Sequence, residues 1–206
     1  EVNYQVKCET KINRKEYDMS PSYADKKGYK VYFSSSREES FGSGRDPITG
    51  EKYMDIFVAE FDKNGDPTGV ASIDEDGIIN TSENEGTVCF DKKFKTMYFT
   101  RCPNKERMKL GCDIWAVDIV EGEFTNVRKM KLKSDETVSV GHPCLTQDGK
   151  MLIFASDMKS SGGDKSFGGR DLWYVTYDKK AKAWSAEPKN MGAQYNTSGN
   201  ELFPSI

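Results

Sequence analysis

The chain has 206 residues, with 30 lysines and arginines against 33 aspartates and glutamates, and a formal net charge of -3. That length suits one domain with a real core, and the charges are spread without the basic stripe that a nucleic-acid backbone requires, so nucleic acid is excluded as an expected partner. No stretch approaches the roughly 18 consecutive apolar residues of a membrane span, so we expect no direct membrane insertion by this domain.

Three short segments recur along the chain, each with an Asp, an aliphatic residue and a large aromatic residue. They are Asp55-Ile56-Phe57, Asp113-Ile114-Trp115 and Asp171-Leu172-Trp173, and successive aspartates lie 58 residues apart. A fixed interval of this length indicates a repeat architecture.

Apolar, aromatic segments at 30–34, 96–100 and 151–155 precede these three, and Gly-containing turns such as Asn64-Gly65 and Asp148-Gly149 separate the runs. Such runs are typical of β-strands, and sustained helical periodicity is absent. In the second unit the pattern predicts strands over 87–90, 96–101, 113–119 and 124–131.

A third signature runs from Asn80 to Glu85 and returns from Asn196 to Glu201, 116 residues later. Ile12-Asn13 stands to Pro21 as Tyr195-Asn196 stands to Pro204, and Pro143 is counted with these prolines as a structural residue of the repeat. The middle unit departs from the pattern, because 134–140 replaces the Asn-Thr signature and His142 follows it.

These patterns predict an all-β fold, a β-propeller of four-stranded antiparallel blades, with about three to four blades in this chain and further blades outside it. The expected division is an outer strand of a preceding blade at 1–13, blades at 14–79, 80–134 and 135–195, and the start of another blade at 196–206.

The repeated residues are interpreted as structural. Asp55, Asp113 and Asp171 are expected to accept hydrogen bonds from loop amides, and Phe57, Trp115 and Trp173 to pack between blades. Asn80, Glu85, Asn196 and Glu201 are expected to tie consecutive blades together. The sequence offers no motif for a catalytic residue, a cofactor or a metal site, since it has one histidine and no CxxC pair.

The long segments 34–53 and 156–169 are rich in Gly, Ser, Arg and Lys, and loops on a rigid scaffold commonly carry recognition. Candidate partner-binding residues there are Arg37, Phe41, Arg45, Lys165, Phe167 and Arg170, which combine charge with aromatic anchors. Cys102 and Cys112 flank another polar segment, where either a disulfide or two reduced thiols is compatible with the spacing.

The segments Ala155-Ser156-Asp157, Gly168 to Trp173 and Asn196 to Pro204 resemble the WD-like propeller repeat of periplasmic bacterial proteins, of the TolB type. The resemblance covers the chain from Ile12 onward. In many such proteins the propeller lies between helical repeats and an OmpA-like peptidoglycan-binding domain of an outer-membrane lipoprotein, and some serve the type IX secretion system, which transports proteins.

The resemblance therefore implies a non-enzymatic scaffold in the periplasm, associated with the outer membrane, whose partners are envelope or secretion-system proteins. Peptidoglycan would be bound only through a separate domain outside this chain. The alternative interpretation is a propeller that binds or hydrolyses glycans or peptides at its central mouth.

Overall fold

The computed structural model describes residues 6–104 and 109–206. The strands are β1 (Asp18–Tyr23), β2 (Lys30–Ser35), β3 (Asp55–Phe61), β4 (Pro67–Ser72), β5 (Asn84–Phe90), β6 (Thr96–Cys102), β7 (Asp113–Val120), β8 (Glu123–Lys129), β9 (Val140–Leu145), β10 (Met151–Ser156), β11 (Ser160–Ser161), β12 (Asp164–Lys165), β13 (Asp171–Asp178), β14 (Ala183–Trp184) and β15 (Lys189–Asn190). Neither described range contains a helix, and the predicted all-β class is confirmed.

The strands form three antiparallel sheets in chain order. The first sheet is β1-β2-β3-β4 and the second is β5-β6-β7-β8. The third is β9-β10-β13, with the short strands β14 and β15 completing its outer edge, and β11 and β12 form a separate hairpin. Hairpin-connected neighbours explain why each sheet uses one continuous stretch of sequence.

The four strands predicted for the second unit are confirmed, with shifted bounds. β5 begins at Asn84, before the predicted start at 87, because Glu85 pairs in register with Arg101 of β6. β8 ends at Lys129, before the predicted end at 131, where the chain leaves the sheet for the connection to β9.

The outer strand expected over 1–13 is absent from residues 6–13, and residues 1–5 lie outside the described part. The segment instead makes a turn, in which the Asn13 amide donates to the Glu9 carbonyl at 2.9 Å. Ile12 packs against the apolar cluster of Phe33 and Phe57. The segment thus covers part of the face of the first sheet without joining it.

Alternate side chains of each central strand enter different cores, as the two-residue period of a strand requires. Along β7, Ile114 and Ala116 pack in the cluster shared with the third sheet. Trp115 and Val117 face the cluster shared with the first sheet. The sheets are therefore stacked face to face, with the second buried on both sides.

The first strands of the sheets lie together. β5 packs against β1, β2 and β3 of the first sheet, and β9 packs against β5, β6 and β7 of the second. The segment 196–206 contains no strand, although Asn200 forms a parallel bridge with Arg170 at the start of β13.

Candidate functional site

The antiparallel order divides the molecule into two ends. The turn end carries the tight connections between first and second strands and between third and fourth strands. The loop end carries the long connections between second and third strands, at 36–54, 103–112 and 157–170, together with the links from one sheet to the next. The predicted partner-binding residues all belong to the loop end.

Two of the three repeated aspartates fasten a loop to its sheet. The Asp55 carboxylate accepts a hydrogen bond from the Phe41 amide at 2.5 Å, and Asp171 accepts one from the Phe167 amide at 2.6 Å. Both side chains are buried. Burial raises the pKa of Asp55 to about 7 against the effect of the single amide bond. These carboxylates are used to position loops.

The third aspartate works differently. Asp113 forms ion pairs with Lys129 at 2.9 Å and with Lys133 at 3.1 Å. The Lys133 side chain is 2% exposed, and its ammonium group also donates to the carbonyls of Cys112 and Val138. Lys133 therefore ties the start of β7 to the link that leads to β9, a role of which its sequence context gave no signal.

The Asn-Thr segments bind the preceding sheet. Asn80 accepts from the Ile56 amide and donates to the Ile56 carbonyl, both at 2.9 Å. Asn196 makes the same pair with Leu172, at 2.7 and 3.0 Å. Both asparagines are buried, so each amide satisfies backbone groups that water does not reach.

The glutamates of these segments close the same turn twice. Glu85 accepts from the amide and hydroxyl of Thr81, at 3.1 and 2.6 Å, and Glu201 accepts from the same two groups of Thr197 at the same distances. Glu85 is also paired with Arg101 at 2.7 Å. The glutamates thus shape the links between sheets.

Replacing Asn80 with Ala should lower the free energy of unfolding by about 2 kcal/mol, because the buried amide and carbonyl of Ile56 lose their partners. Urea denaturation would measure the loss. The matched control is Asn64→Ala in the exposed turn after β3, for which we expect a change within about 0.5 kcal/mol. Equal effects of the two substitutions would contradict the role assigned to Asn80.

Glycines precede the repeated aspartates where two chain segments touch. A Cβ atom on Gly111 would lie 2.0 Å from the Val138 carbonyl oxygen, and one on Gly169 would lie 2.4 Å from Asn200 Oδ1. Only glycine permits this approach of a link to the start of the third strand. The glycine two residues before Asp113 and the glycine two residues before Asp171 therefore have a packing explanation.

The three long loops are closed in three ways. A disulfide joins Cys102 to Cys112 in the second sheet. The third loop contains the hairpin of β11 and β12, and in the first loop Arg45 bonds both carboxylate oxygens of Glu38. The other thiols are Cys8, which is exposed, Cys89, which is half-buried, and Cys144, which is buried.

Five of the six candidate partner-binding residues lie at the surface of the loop end or at its margin. The Phe41 ring is 40% exposed and Phe167 is 48% exposed. Arg45 and Lys165 are exposed, and Arg170 is half-buried beside Asn200. Because Asp55 and Asp171 hold the amides of Phe41 and Phe167, the two aromatic rings occupy corresponding positions.

Arg37 does not belong with them, and its assignment as a partner-binding residue is wrong. It is 3% exposed, and its guanidinium group pairs with Asp18 at 2.8 Å and donates to the Ile12 carbonyl. It also lies over the rings of Phe33 and Phe57, at 5.0 and 4.8 Å from their centroids. The chain turns inward directly after β2, which loop composition does not reveal.

The inner strands β1, β5 and β9, which are the first strands of the three sheets, share an unusual backbone feature with the segment 196–206. Ser20, Thr87, His142 and Phe203 have φ between 49 and 54°, the left-handed region that non-glycine residues rarely occupy. Pro21, Pro143 and Pro204 each follow one of these residues, and Val88 follows Thr87. Pro21 and Pro143 therefore mark the bulges in β1 and β9, and Pro204 follows Phe203 in the same way in the segment 196–206.

The amide of the left-handed residue is bound by the preceding sheet. Thr87 donates to Ser34 Oγ at 3.0 Å, and His142 donates to Thr100 Oγ1 at 2.9 Å. Ala155 occupies the corresponding position in β10 and offers no hydroxyl. The Phe203 amide instead donates to His142 Nδ1 at 3.4 Å, and the two rings stack with centroids 4.0 Å apart.

This arrangement needs a neutral imidazole. Burial, with a contribution from Arg170, lowers the pKa of His142 to about 4. Since this is below the ordinary value of about 6.5, the native state favours the unprotonated ring. The stabilisation is present above about pH 6.5 and is lost as the pH falls towards 4.

We therefore expect the urea midpoint to fall more steeply between pH 7 and pH 4.5 in the wild type than in His142→Gln, which does not titrate there. Acidic groups titrate in both proteins, so the difference between the two curves isolates the imidazole. Parallel curves would contradict this prediction.

The described residues contain no helix long and apolar enough to cross a membrane, and no group of three or more His, Cys, Asp or Glu side chains placed to hold a metal ion. No family model matches the chain, and no curated protein matches it. Among solved structures, a puromycin-hydrolyzing peptidase of Mycobacterium tuberculosis aligns with a TM-score of 0.46 and 12% identity. The alignment covers 88% of this chain and 22% of the peptidase, and a similarity this weak carries no argument about function.

Proposed function

We propose that the three sheets are blades of a β-propeller and that this propeller is a non-enzymatic protein-binding scaffold of the bacterial cell envelope. Face-to-face stacking, with the strands β1, β5 and β9 gathered on one side, supports the propeller. Leu172 and Tyr174, which correspond to the buried Ile114 and Ala116, are half-buried, as expected where another blade would pack.

The observation that carries the scaffold function is how the repeated polar residues are used. One carboxylate oxygen of Asp55 and of Asp171 accepts from a loop amide, and the side-chain amides of Asn80 and Asn196 are bound to the backbone of the preceding sheet. The long loop between the second and third strands differs in length and composition from sheet to sheet. A constant frame with variable loops is the arrangement of a recognition surface.

The partner class follows from the resemblance to periplasmic propeller repeats. Envelope or secretion-system proteins are the proposed partners, and the periplasmic face of the outer membrane is the proposed location. The disulfide between Cys102 and Cys112 supports an oxidising compartment.

Site-specific photo-crosslinking tests the docking surface. A photoreactive phenylalanine analogue at position 41 or 167 should crosslink to a discrete envelope protein in a bacterial envelope extract. The matched control places the same analogue at Tyr29, which is 39% exposed at the turn end, and should give no such product. Crosslinks from position 29 alone, or from none of the three, would contradict docking at the loop end.

A second candidate function rests on a cavity of about 920 Å³ beside the inner strands, lined by residues that include Met19, Phe90, His142 and Ile206. A ligand-binding or hydrolytic propeller would act there. Thermal shift against sugars, muropeptides and divalent ions tests this alternative, because a bound ligand raises the melting temperature by linkage.

A further inference from the structure

The turn end of the second and third sheets contains a groove of about 600 Å³ that lies between the two sheets. Its floor is aromatic. The Trp184 ring packs edge-on against Tyr98, with centroids 6.1 Å apart, and against Tyr177, with centroids 5.2 Å apart. Met130 and Leu145 extend this apolar lining.

The rim of the groove is basic in a chain whose net charge is negative. The turn 91–95 carries Lys92, Lys93 and Lys95, and the turn 178–182 carries Lys179, Lys180 and Lys182, all exposed. Of these, Lys92, Lys93 and Lys182 line the groove, and the other three lie in the same turns. The same two turns contain two acidic side chains, Asp91 and Asp178, against these six lysines. The third turn at the groove contributes no excess charge, because Lys150 pairs with Asp148 at 3.2 Å.

The two aspartates are engaged by their own turns. Asp91 accepts from the amides of Lys95 and Thr96, at 2.6 and 3.1 Å. Asp178 accepts from the amide of Lys180 at 2.7 Å. Within the described ranges, the ion pairs include none formed by the six lysines, so their ammonium groups are left to attract an outside anion.

We propose that this groove binds an acidic polypeptide segment that carries an aromatic side chain. The aromatic floor suits one inserted ring, and the lysines on both sides suit carboxylates along an extended chain. This surface lies at the opposite end from Phe41 and Phe167, and the proposal does not depend on docking at the loop end.

A polypeptide fits better than a phosphate-bearing partner. Arginine is the side chain that grips phosphate through paired hydrogen bonds, and the arginine at the groove, Arg128, is already bound to Asp118 at 3.0 Å. Lysines act as point charges and bind carboxylates as readily as they bind phosphates. A flat lipid surface would meet only the rim and leave Trp184 in the groove untouched.

The test uses the whole chain and a ten-residue peptide of Glu and Asp around a single Phe. Trp184 lines the groove, whereas Trp173 is buried and Trp115 lies at the other inter-sheet contact, so tryptophan fluorescence reports occupancy. We expect saturable binding with a Kd of about 10–100 μM in 50 mM salt, weakening as salt rises. In Trp184→Phe the fluorescence change should disappear while calorimetry still detects binding.

The double variant Lys92→Glu/Lys182→Glu should weaken binding about tenfold or more. The control Lys26→Glu/Lys63→Glu makes the same change in charge at the turn end of the first sheet and should leave the Kd within about twofold. All four positions are exposed, and circular dichroism verifies folding. If the first pair does not fold, Lys93→Glu/Lys180→Glu replaces it.

Three results would overturn the proposal. The first is no detectable binding of the peptide at 1 mM, which corresponds to a binding free energy of roughly −4 kcal/mol or weaker. The second is an equal weakening of binding by the control pair. The third is a larger Trp184 fluorescence response to anionic phosphatidylglycerol vesicles or to heparin than to the peptide. Replacing the peptide's Phe with Ala should weaken binding at least several-fold, and an unchanged Kd would remove the aromatic part of the proposal.

Discussion

Trp173→Ala is expected to lower the free energy of unfolding by about 3–5 kcal/mol, since removing a fully buried indole leaves a large cavity. Trp173 is 0% exposed and packs in the cluster between the second and third sheets. Urea denaturation followed by circular dichroism would measure the change. A loss below about 1 kcal/mol would show that the site is exposed or able to collapse.

The repeat itself supplies the matched control. Phe57 occupies the position of Trp173 in the first sheet, opposite Phe33 as Trp173 is opposite Phe154. Trp173→Phe should therefore cost less, about 1–2 kcal/mol, because part of the ring volume remains. The indole Nε1 is buried without a hydrogen-bond partner, so its removal breaks no bond and moderates the loss.

Arg37→Met is expected to destabilise the chain by about 3–5 kcal/mol, because it leaves the buried carboxylate of Asp18 without its charged partner. The Arg37 side chain is 4% exposed and that of Asp18 is 10% exposed. Although burial raises it, hydrogen bonds from Ser35 and Arg37 hold the pKa of Asp18 below its usual value. The charged form therefore depends on this pair.

The double variant Asp18→Val/Arg37→Met should recover most of that loss. The third sheet has Val140 opposite Ser156 where the first has Asp18 opposite Ser35, and Met158 follows where Arg37 does. The backbone amides of both residues donate to a serine hydroxyl two residues earlier, Arg37 to Ser35 at 3.3 Å and Met158 to Ser156 at 3.1 Å. The chain thus already contains an apolar version of the same contact.

A double-mutant cycle in urea measures the coupling, for which we expect about 2 kcal/mol or more. The other single variant of the cycle, Asp18→Val, should also be destabilising, since it leaves the Arg37 guanidinium group without its carboxylate partner. Additive losses would show that the two positions do not interact and that the apolar pair cannot replace the ionic one.

The repeat interval and the alternation of apolar residues were enough to predict the three sheets, because both are properties of the sequence alone. Asp55 and Asp171 likewise bind loop amides as expected. Lys133 could not be predicted, because its role depends on where the chain returns after β8. Arg37 was misassigned because a Gly- and Ser-rich loop gives no sign of which side chain folds inward.

The left-handed backbone conformation of Ser20, Thr87, His142 and Phe203 could not be predicted from the sequence either. Proline was a signal at Pro21, Pro143 and Pro204, but Thr87 adopts the same conformation before Val88. At Thr87 and His142 the backbone amide donates to a hydroxyl of the preceding sheet, on Ser34 and Thr100 respectively. Such contacts between repeats are tertiary, and no local pattern encodes them.

Asn80 bonds to Ile56 and Thr87 bonds to Ser34, so these hydrogen bonds cross the boundary between the first sheet and the second. A graft or chimera divided directly after β4 would separate both of these bonded pairs. A division within the turn 91–95 would keep them together. The piece that can be moved between proteins therefore begins at a second strand and ends with the first strand of the following sheet.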